Sequence, residues 1–201
     1  MELIGMLDSP YVRRVAVALQ QLDLPFTHQS ISVFRGIDQF RQINPVVKAP
    51  TLLCDDGTVL MDSTLILLYA EGLAGRRLQP GDAPSLRLTG LALAACEKSV
   101  QIVYEHHVRP ADKRHEPWLA RVTEQMTTAY RLLDSELAGR PPQLDDAGIT
   151  AAVVWFFSQQ MHPELLPAAE HPHLSALSAW AEQQPALRAA AHGEGVYPTA
   201  G

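Results

Sequence analysis

Every segment with strand character in this 201-residue chain lies before Gly75, and beyond that glycine only helical patterning continues. This division limits the fold more than any single motif does. A sheet has to be assembled from the first third of the chain, and the rest has to bury its apolar stripes helix against helix.

The first third reads as an ordered series. Glu2-Leu3-Ile4-Gly5-Met6 is short and apolar, as a buried strand is. Asp8-Ser9-Pro10 then offers a capping residue followed by proline at the first helical position. Val12, Val15, Ala16, Leu19 and Leu22 continue it as one apolar stripe, and Leu24-Pro25 stops the helix. Residues 26–33 suit a second strand, and residues 34–43 a loop or short helix ended by Asn44-Pro45. Residues 50–54 and 58–61 flank the turn Asp55-Asp56-Gly57 as a hairpin. Ser63 is expected to cap a helix that turns Ile66, Leu67, Ala70 and Leu73 inward, with Gly72 or Gly75 at its end. The order is β-α-β, connector, β-β, α. Its first unit is expected to be a right-handed parallel crossover. This is a thioredoxin-like α/β layout over residues 1–75.

Residues 76–84 read as a linker, and residues 85–201 as an all-α domain. Helices are expected over 85–107, 117–137, 149–160, 173–183 and 185–191, with a loosely held tail from 193 to 201. With 47% hydrophobic and 19% charged residues, the composition is that of an ordinary globular protein. The net charge of −6 and the lack of a Lys/Arg stripe argue against nucleic acid as a partner. No segment approaches the roughly 18 apolar residues of a membrane span. The acidic N-terminus, with Glu2 and Asp8, lacks the basic start of a signal peptide, so a cytoplasmic protein is expected. Cys54 and Cys96 are too few for a disulfide framework or a zinc site and are expected to be buried free thiols.

Three places can carry chemistry. Ser9 caps the first helix, where unpaired amides and the helix dipole favour an anion, and its hydroxyl could donate to a thiolate. The purely structural reading is an N-cap contributing about 1 kcal/mol. No Cys-x-x-Cys occurs there, which argues against a disulfide oxidoreductase. Pro50 opens a strand after Lys48-Ala49. Trans is the default for X–Pro, but a cis bond would turn the Ala49 backbone outward to pair with an extended peptide-like ligand. Asp62-Ser63 stands at another helix start. Asp62 could take an ammonium and the helix start a carboxylate, or both residues could simply serve the cap. His106 and His107 are adjacent on a helix and point apart, which is unsuited to a metal. His162, His171 and His173 lack ligand spacing and are expected at the surface.

An anion-binding cap, an exposed strand edge and an ammonium-plus-carboxylate site on one sheet suit a small thiol peptide. Ser9-Pro10-Tyr11-Val12-Arg13-Arg14-Val15, Asn44-Pro45 with Lys48-Ala49-Pro50-Thr51-Leu52, and Asp62-Ser63 together resemble the N-terminal domain of cytosolic glutathione S-transferases, in particular bacterial serine-type members. The all-α half, with Tyr104-Glu105 and Arg109-Pro110 before Trp118, is similar to that family's C-terminal domain. In one place the chain departs from the family. Gly148-Ile149-Thr150-Ala151-Ala152-Val153 lacks the usual Ser or Thr followed three residues later by Asp, and Asp145 or Asp146 is expected to cap instead.

The resemblance implies glutathione as co-substrate, with no metal. Ser9 would favour the thiolate. Ala49, before a cis Pro50, would pair with the cysteinyl backbone. Asp62 and Ser63 would hold the γ-glutamyl end, and Lys48 would approach the glycyl carboxylate. The all-α domain would form a pocket for a small hydrophobic electrophile together with the start of the first helix, with Tyr11, Tyr104 and His107 as lining candidates. The implied role is that of a cytoplasmic, homodimeric transferase of detoxification. A non-catalytic glutathione-fold binding or regulatory protein is the alternative, as is a glutathione-dependent isomerase or peroxidase.

Overall fold

The computed structural model describes residues 1–197, and among these it has four strands and eight α-helices. Contacts divide the chain into two units. One comprises Met1–Leu78 with the segment from Gln183 onward, and the other is Gln79–Glu182.

The first unit holds the sheet. Strand β1 (Glu2–Ile4) leads to helix α1 (Pro10–Gln21), then β2 (Thr27–Gln29), α2 (Ile37–Ile43), β3 (Thr51–Leu53), β4 (Val59–Leu60) and α3 (Ser63–Ala74). The sheet order is β2-β1-β3-β4. β1 and β2 are parallel, with Leu3 opposite His28, and the other two pairs are antiparallel. Ile4 packs with Ile31 and Phe40 in one fully apolar cluster. Alternation puts Leu3 on the opposite face, and Leu3 is also fully buried, so both faces of the sheet are covered.

Helix α1 starts where its sequence says it should. Ser9 is the N-cap, Pro10 occupies the first helical position, and the stripe from Val12 to Leu22 is buried. Helix α3 departs from expectation at both ends. Asp62, not Ser63, is the N-cap, because its Oδ1 accepts from Thr64 N and Leu65 N. Leu73 is 51% exposed rather than inward, as are Leu65 and Leu68, while Ile66, Leu67 and Ala70 are buried. Gly75, with φ of 62°, terminates the helix in the left-handed conformation that glycine adopts at least cost.

Helix α8 (Pro185–Ala189) belongs to this same unit, although the sequence pattern groups residues 85–201 together. The physical reason is Arg13. It is 1% exposed, and its guanidinium donates to Ala190 O at 2.7 Å and Leu187 O at 3.3 Å, satisfying carbonyls at the end of α8. The tail after it is held rather than loose as far as Tyr197. The Tyr197 ring stacks on Phe26 at 4.6 Å, and its N–H donates to His28 Nδ1 at 2.9 Å. Residues 198–201 lie outside the described residues.

The second unit is helical. It contains α4 (Ala83–His107), α5 (Glu116–Leu137), α6 (Asp146–Met161) and α7 (Pro172–Ala181). Asp145 caps α6 by accepting from Gly148 N at 2.8 Å, which supplies the missing helix start. Asp146 Oδ2 accepts from Thr89 Oγ1 and Gln79 Nε2. Tyr130 Oη lies within hydrogen-bond distance of Val154 O and Ser158 Oγ, and Ser158 Oγ of Ser99 Oγ, as one buried hydroxyl chain. Burial pushes the Tyr130 hydroxyl far above its ordinary pKa, so it remains a neutral donor. His162 and His171 are 4% and 6% exposed, not at the surface as expected. His162 bonds Ser99 O, and His171 bonds Pro167 O and stacks on Trp155. Cys54 and Cys96 are buried thiols outside any disulfide, as expected.

Candidate functional site

The head of α1 and the loop before β3 meet at one end of β1, and Arg14 of α1 holds the head of α3. Gly5 is the pivot. Its φ is +132°, and a Cβ there would lie 2.7 Å from Val12 Cγ2 and 3.1 Å from Ala49 Cβ. A residue without a side chain is therefore what lets the first turn of α1 and the loop before β3 close on the strand end.

Ser9 sits at the head of α1, half-buried. Its N–H donates to Met6 O at 3.1 Å, and its Oγ accepts from Val12 N at 3.5 Å. The cap bond is long, and the hydroxyl acts in it only as acceptor, so the Ser9 proton is free for another acceptor. Beside it, burial pushes the Asp8 carboxyl above the usual carboxylate range. Glu194 pushes the same way, while His192, the Ser9 backbone and Arg35 oppose. Tyr11 follows at the first turn, half-buried.

The loop before β3 is organised by Asn44, which is 1% exposed. Its amide donates to Thr51 Oγ1 at 2.8 Å and its Oδ1 accepts from Val46 N at 3.0 Å. Thr51 Oγ1 donates to Lys48 O at 2.7 Å. These bonds fix the path of residues 44–51. The Ala49–Pro50 peptide is cis. Among the described residues no backbone hydrogen bond involves Ala49. The Lys48 side chain is exposed, with no ion pair among the described residues.

At the head of α3, Asp62 spends one carboxylate oxygen on two backbone amides, and Oδ2 has no partner among the described residues. Ser63 is 3% exposed, and its Oγ accepts from Arg14 Nη1 at 3.1 Å, as does Thr64 Oγ1. A hydroxyl that receives a hydrogen bond from a cation is a better donor of its own proton. Arg14 is therefore a further candidate for the site, one that the α1 pattern does not announce. Its only sequence signal is a pair of arginines, Arg13-Arg14, inside an apolar stripe.

The structure thus brings Ser9, Tyr11, Lys48, Ala49, Pro50, Asp62 and Ser63 into one unit. Tyr104 and His107 lie in the other, both exposed, near the end of α4. Burial of part of the ring raises the Tyr104 hydroxyl pKa. No cluster of three or more His, Cys, Asp or Glu able to hold a metal occurs among the described residues. No helix there is long and apolar enough to cross a membrane.

Comparison with known proteins gives the same architecture. Residues 3–78 match the family model described as "Glutathione S-transferase, N-terminal domain". A glutathione transferase family member from Pseudomonas fluorescens Pf-5, solved with bound glutathione, is 30% identical. The match covers 94% of this chain and 97% of that one, with a TM-score of 0.80. A glutathione S-transferase from Methylobacterium radiotolerans JCM 2831, solved with glutathione sulfonate, is 27% identical over 100% of this chain and 95% of that one, with a TM-score of 0.85. The uncharacterised GST-like protein YibF of Escherichia coli K12 is 25% identical over 159 residues, 77% of this chain and 78% of YibF. The chain belongs to the glutathione S-transferase family.

Proposed function

We propose that the protein binds glutathione on its first unit, ionises the thiol and adds it to small hydrophobic electrophiles. One observation carries this reading. The Ser9-capped helix and the unpaired Ala49 backbone close on the strand end at Gly5, and Arg14 of that helix holds the Asp62-capped helix start through Ser63 and Thr64. Glutathione, bound in similar proteins, presents a thiol, a peptide backbone and a carboxylate with an ammonium.

In this reading the Asp62 Oδ2 oxygen takes the γ-glutamyl ammonium, and Ser63 with the α3 amides takes its carboxylate. Ala49 pairs with the cysteinyl backbone as an added strand would. Lys48, exposed, faces the glycyl carboxylate. The sulfur then meets Ser9 Oγ–H and the head of α1. A thiol of pKa about 8.5 is mostly protonated at neutral pH, and one hydroxyl donor plus a helix N-terminus favour the thiolate. The thiol proton leaves to water, the thiolate attacks an electrophilic carbon, and an S–C bond forms as the leaving group departs or the proton returns. Tyr11, Tyr104 and His107 are the candidates to receive the electrophile.

We also infer a cytoplasmic homodimer with a role in detoxification. Support for the dimer comes from α3, which presents Leu65, Leu68 and Leu73 at 55%, 62% and 51% exposure. An apolar row of that kind on one helix suits a partner surface.

The test is a screen of glutathione with aryl halides, enones, organic peroxides and cis-dienoic acids. Conjugation of a halide or enone is the expected result. Turnover of peroxides or dienes alone would make the protein a peroxidase or isomerase. Tight glutathione binding with no turnover would make it a binding protein.

A further inference from the structure

Residues 192–197 return to the sheet, with His192 and Glu194 near Asp8, ahead of α1, and Tyr197 against Phe26 and His28 at β2. Ser30 Oγ donates to Glu194 O at 2.7 Å, and Arg35 Nη2 donates to Glu194 Oε1 at 2.5 Å. The same Arg35 nitrogen lies 3.7 Å from Met6 Sδ. Glu194, Arg35, Met6, Ser30 and Gln39 line a cavity of about 260 Å³. Met6 O is the acceptor of the Ser9 amide, so the cavity wall is one hydrogen bond from the proposed thiol site. The segment is pinned at its far end by His28. The ring Nε2 donates to Gly5 O at 2.6 Å and Nδ1 accepts from Tyr197 N, an arrangement that only the neutral imidazole satisfies.

We propose that residues 192–197 form an autoinhibitory strap, in which the Glu194 carboxylate occupies the Arg35 guanidinium and an anionic ligand entering the Ser9 site displaces it. The proposal rests on the glutathione-binding reading. The geometry suits a releasable contact. Both side chains of the pair are about two-thirds exposed, 65% and 66%, and such pairs add little against water and salt. The strap also opposes the chemistry while closed. It sets a carboxylate among the charges that act on Asp8, next to Ser9, and a second negative charge there disfavours a thiolate. Asp8, Arg35 and His192 are the titratable or charged groups that share this corner with Glu194.

Glutathione titration calorimetry on the full chain and on Glu194→Gln, together with hydrogen exchange of residues 193–197, tests the strap. Glu194→Gln keeps the shape and the Ser30 bond but removes the charge. It should bind glutathione about two- to fivefold tighter. Saturating wild type with glutathione should speed exchange of the Tyr197 amide. If wild type binds glutathione, the variant binds no tighter and Tyr197 exchange does not change, the strap is refuted and the glutathione reading stands. Slower exchange on saturation would make the segment a lid that closes over ligand, which also refutes autoinhibition. If neither protein binds glutathione, both the reading and the strap fall.

Discussion

Replacing Ser9 by alanine separates two roles that coincide at one atom. As a cap, Ser9 Oγ accepts from Val12 N at 3.5 Å, the long limit of a hydrogen bond. Its stability contribution therefore belongs at the low end of the cap range, about 0.5–1 kcal/mol. As a donor, the same hydroxyl would contribute to the thiolate the worth of a charge-assisted hydrogen bond, about 1.5–3 kcal/mol. At about 1.4 kcal/mol per pKa unit, Ser9→Ala should raise the pKa of bound glutathione by about one to two units. Conjugation near neutral pH should slow by roughly tenfold or more. The assay is the ultraviolet absorbance of the thiolate against pH, at saturating glutathione, in both proteins, alongside denaturant unfolding. Coincident titrations with equal glutathione affinity would refute the reasoning. Ser9 would then be a helix cap alone, and the thiolate would be held by backbone amides at the head of α1.

Arg14→Met keeps the buried volume but deprives Ser63 and Thr64 of their shared donor, so unfolding should become easier by about 1–3 kcal/mol and glutathione affinity should fall several-fold. Unchanged affinity by calorimetry would remove Arg14 from the site. If the proposed dimer forms through the exposed apolar row of α3, Leu68→Glu should give a monomer in light scattering at micromolar concentration, and a monomeric wild type would refute the dimer. Burial lowers the pKa of His28 and His162, so the folded state holds them neutral while the unfolded state protonates them near pH 6.5. Their contribution is therefore present above pH 6.5 and lost as pH falls below it, by at most about 1.4 kcal/mol per pH unit for each. Asp8, raised by burial, acts with the opposite sign and nearer the carboxylate range. Stability measured between pH 7 and 5 should fall, and the slope should be shallower in His28→Asn; equal slopes would contradict the assignment.

Local chemistry was legible in the sequence and long-range chemistry was not. The head of α1 follows from Ser9-Pro10 and the apolar run after it, each signal within about one turn of the next. The cap of α6 narrows in the same way to Asp145 or Asp146, and Asp145 is the one that accepts from Gly148 N. Helix α3 shows the limit. Leucine, isoleucine and alanine surround it, so periodicity selects no face, and Leu73 reads as inward although it is exposed. Asp62 displaced Ser63 as cap because a carboxylate one residue earlier reaches two amides at once. The long-range contacts around the candidate site and the C-terminal segment span distances no window detects. Arg14 meets Ser63 across 49 residues, Arg35 meets Glu194 across 159, and Arg13 meets Ala190 across 177. Each depends on how α1, α3 and the C-terminal segment fold back on one sheet. His162 and His171 read as surface residues for the same reason: their carbonyl partners and the Trp155 ring are supplied by the helical core.

The most direct measurement is a crystal structure of the protein saturated with glutathione. The expected result is a sulfur within hydrogen-bond distance of Ser9 Oγ, the cysteinyl backbone paired with Ala49, and the γ-glutamyl group at Asp62 and Ser63. Glutathione bound with its sulfur away from the head of α1, or absent from that end of β1 at saturating concentration, would contradict the proposed function.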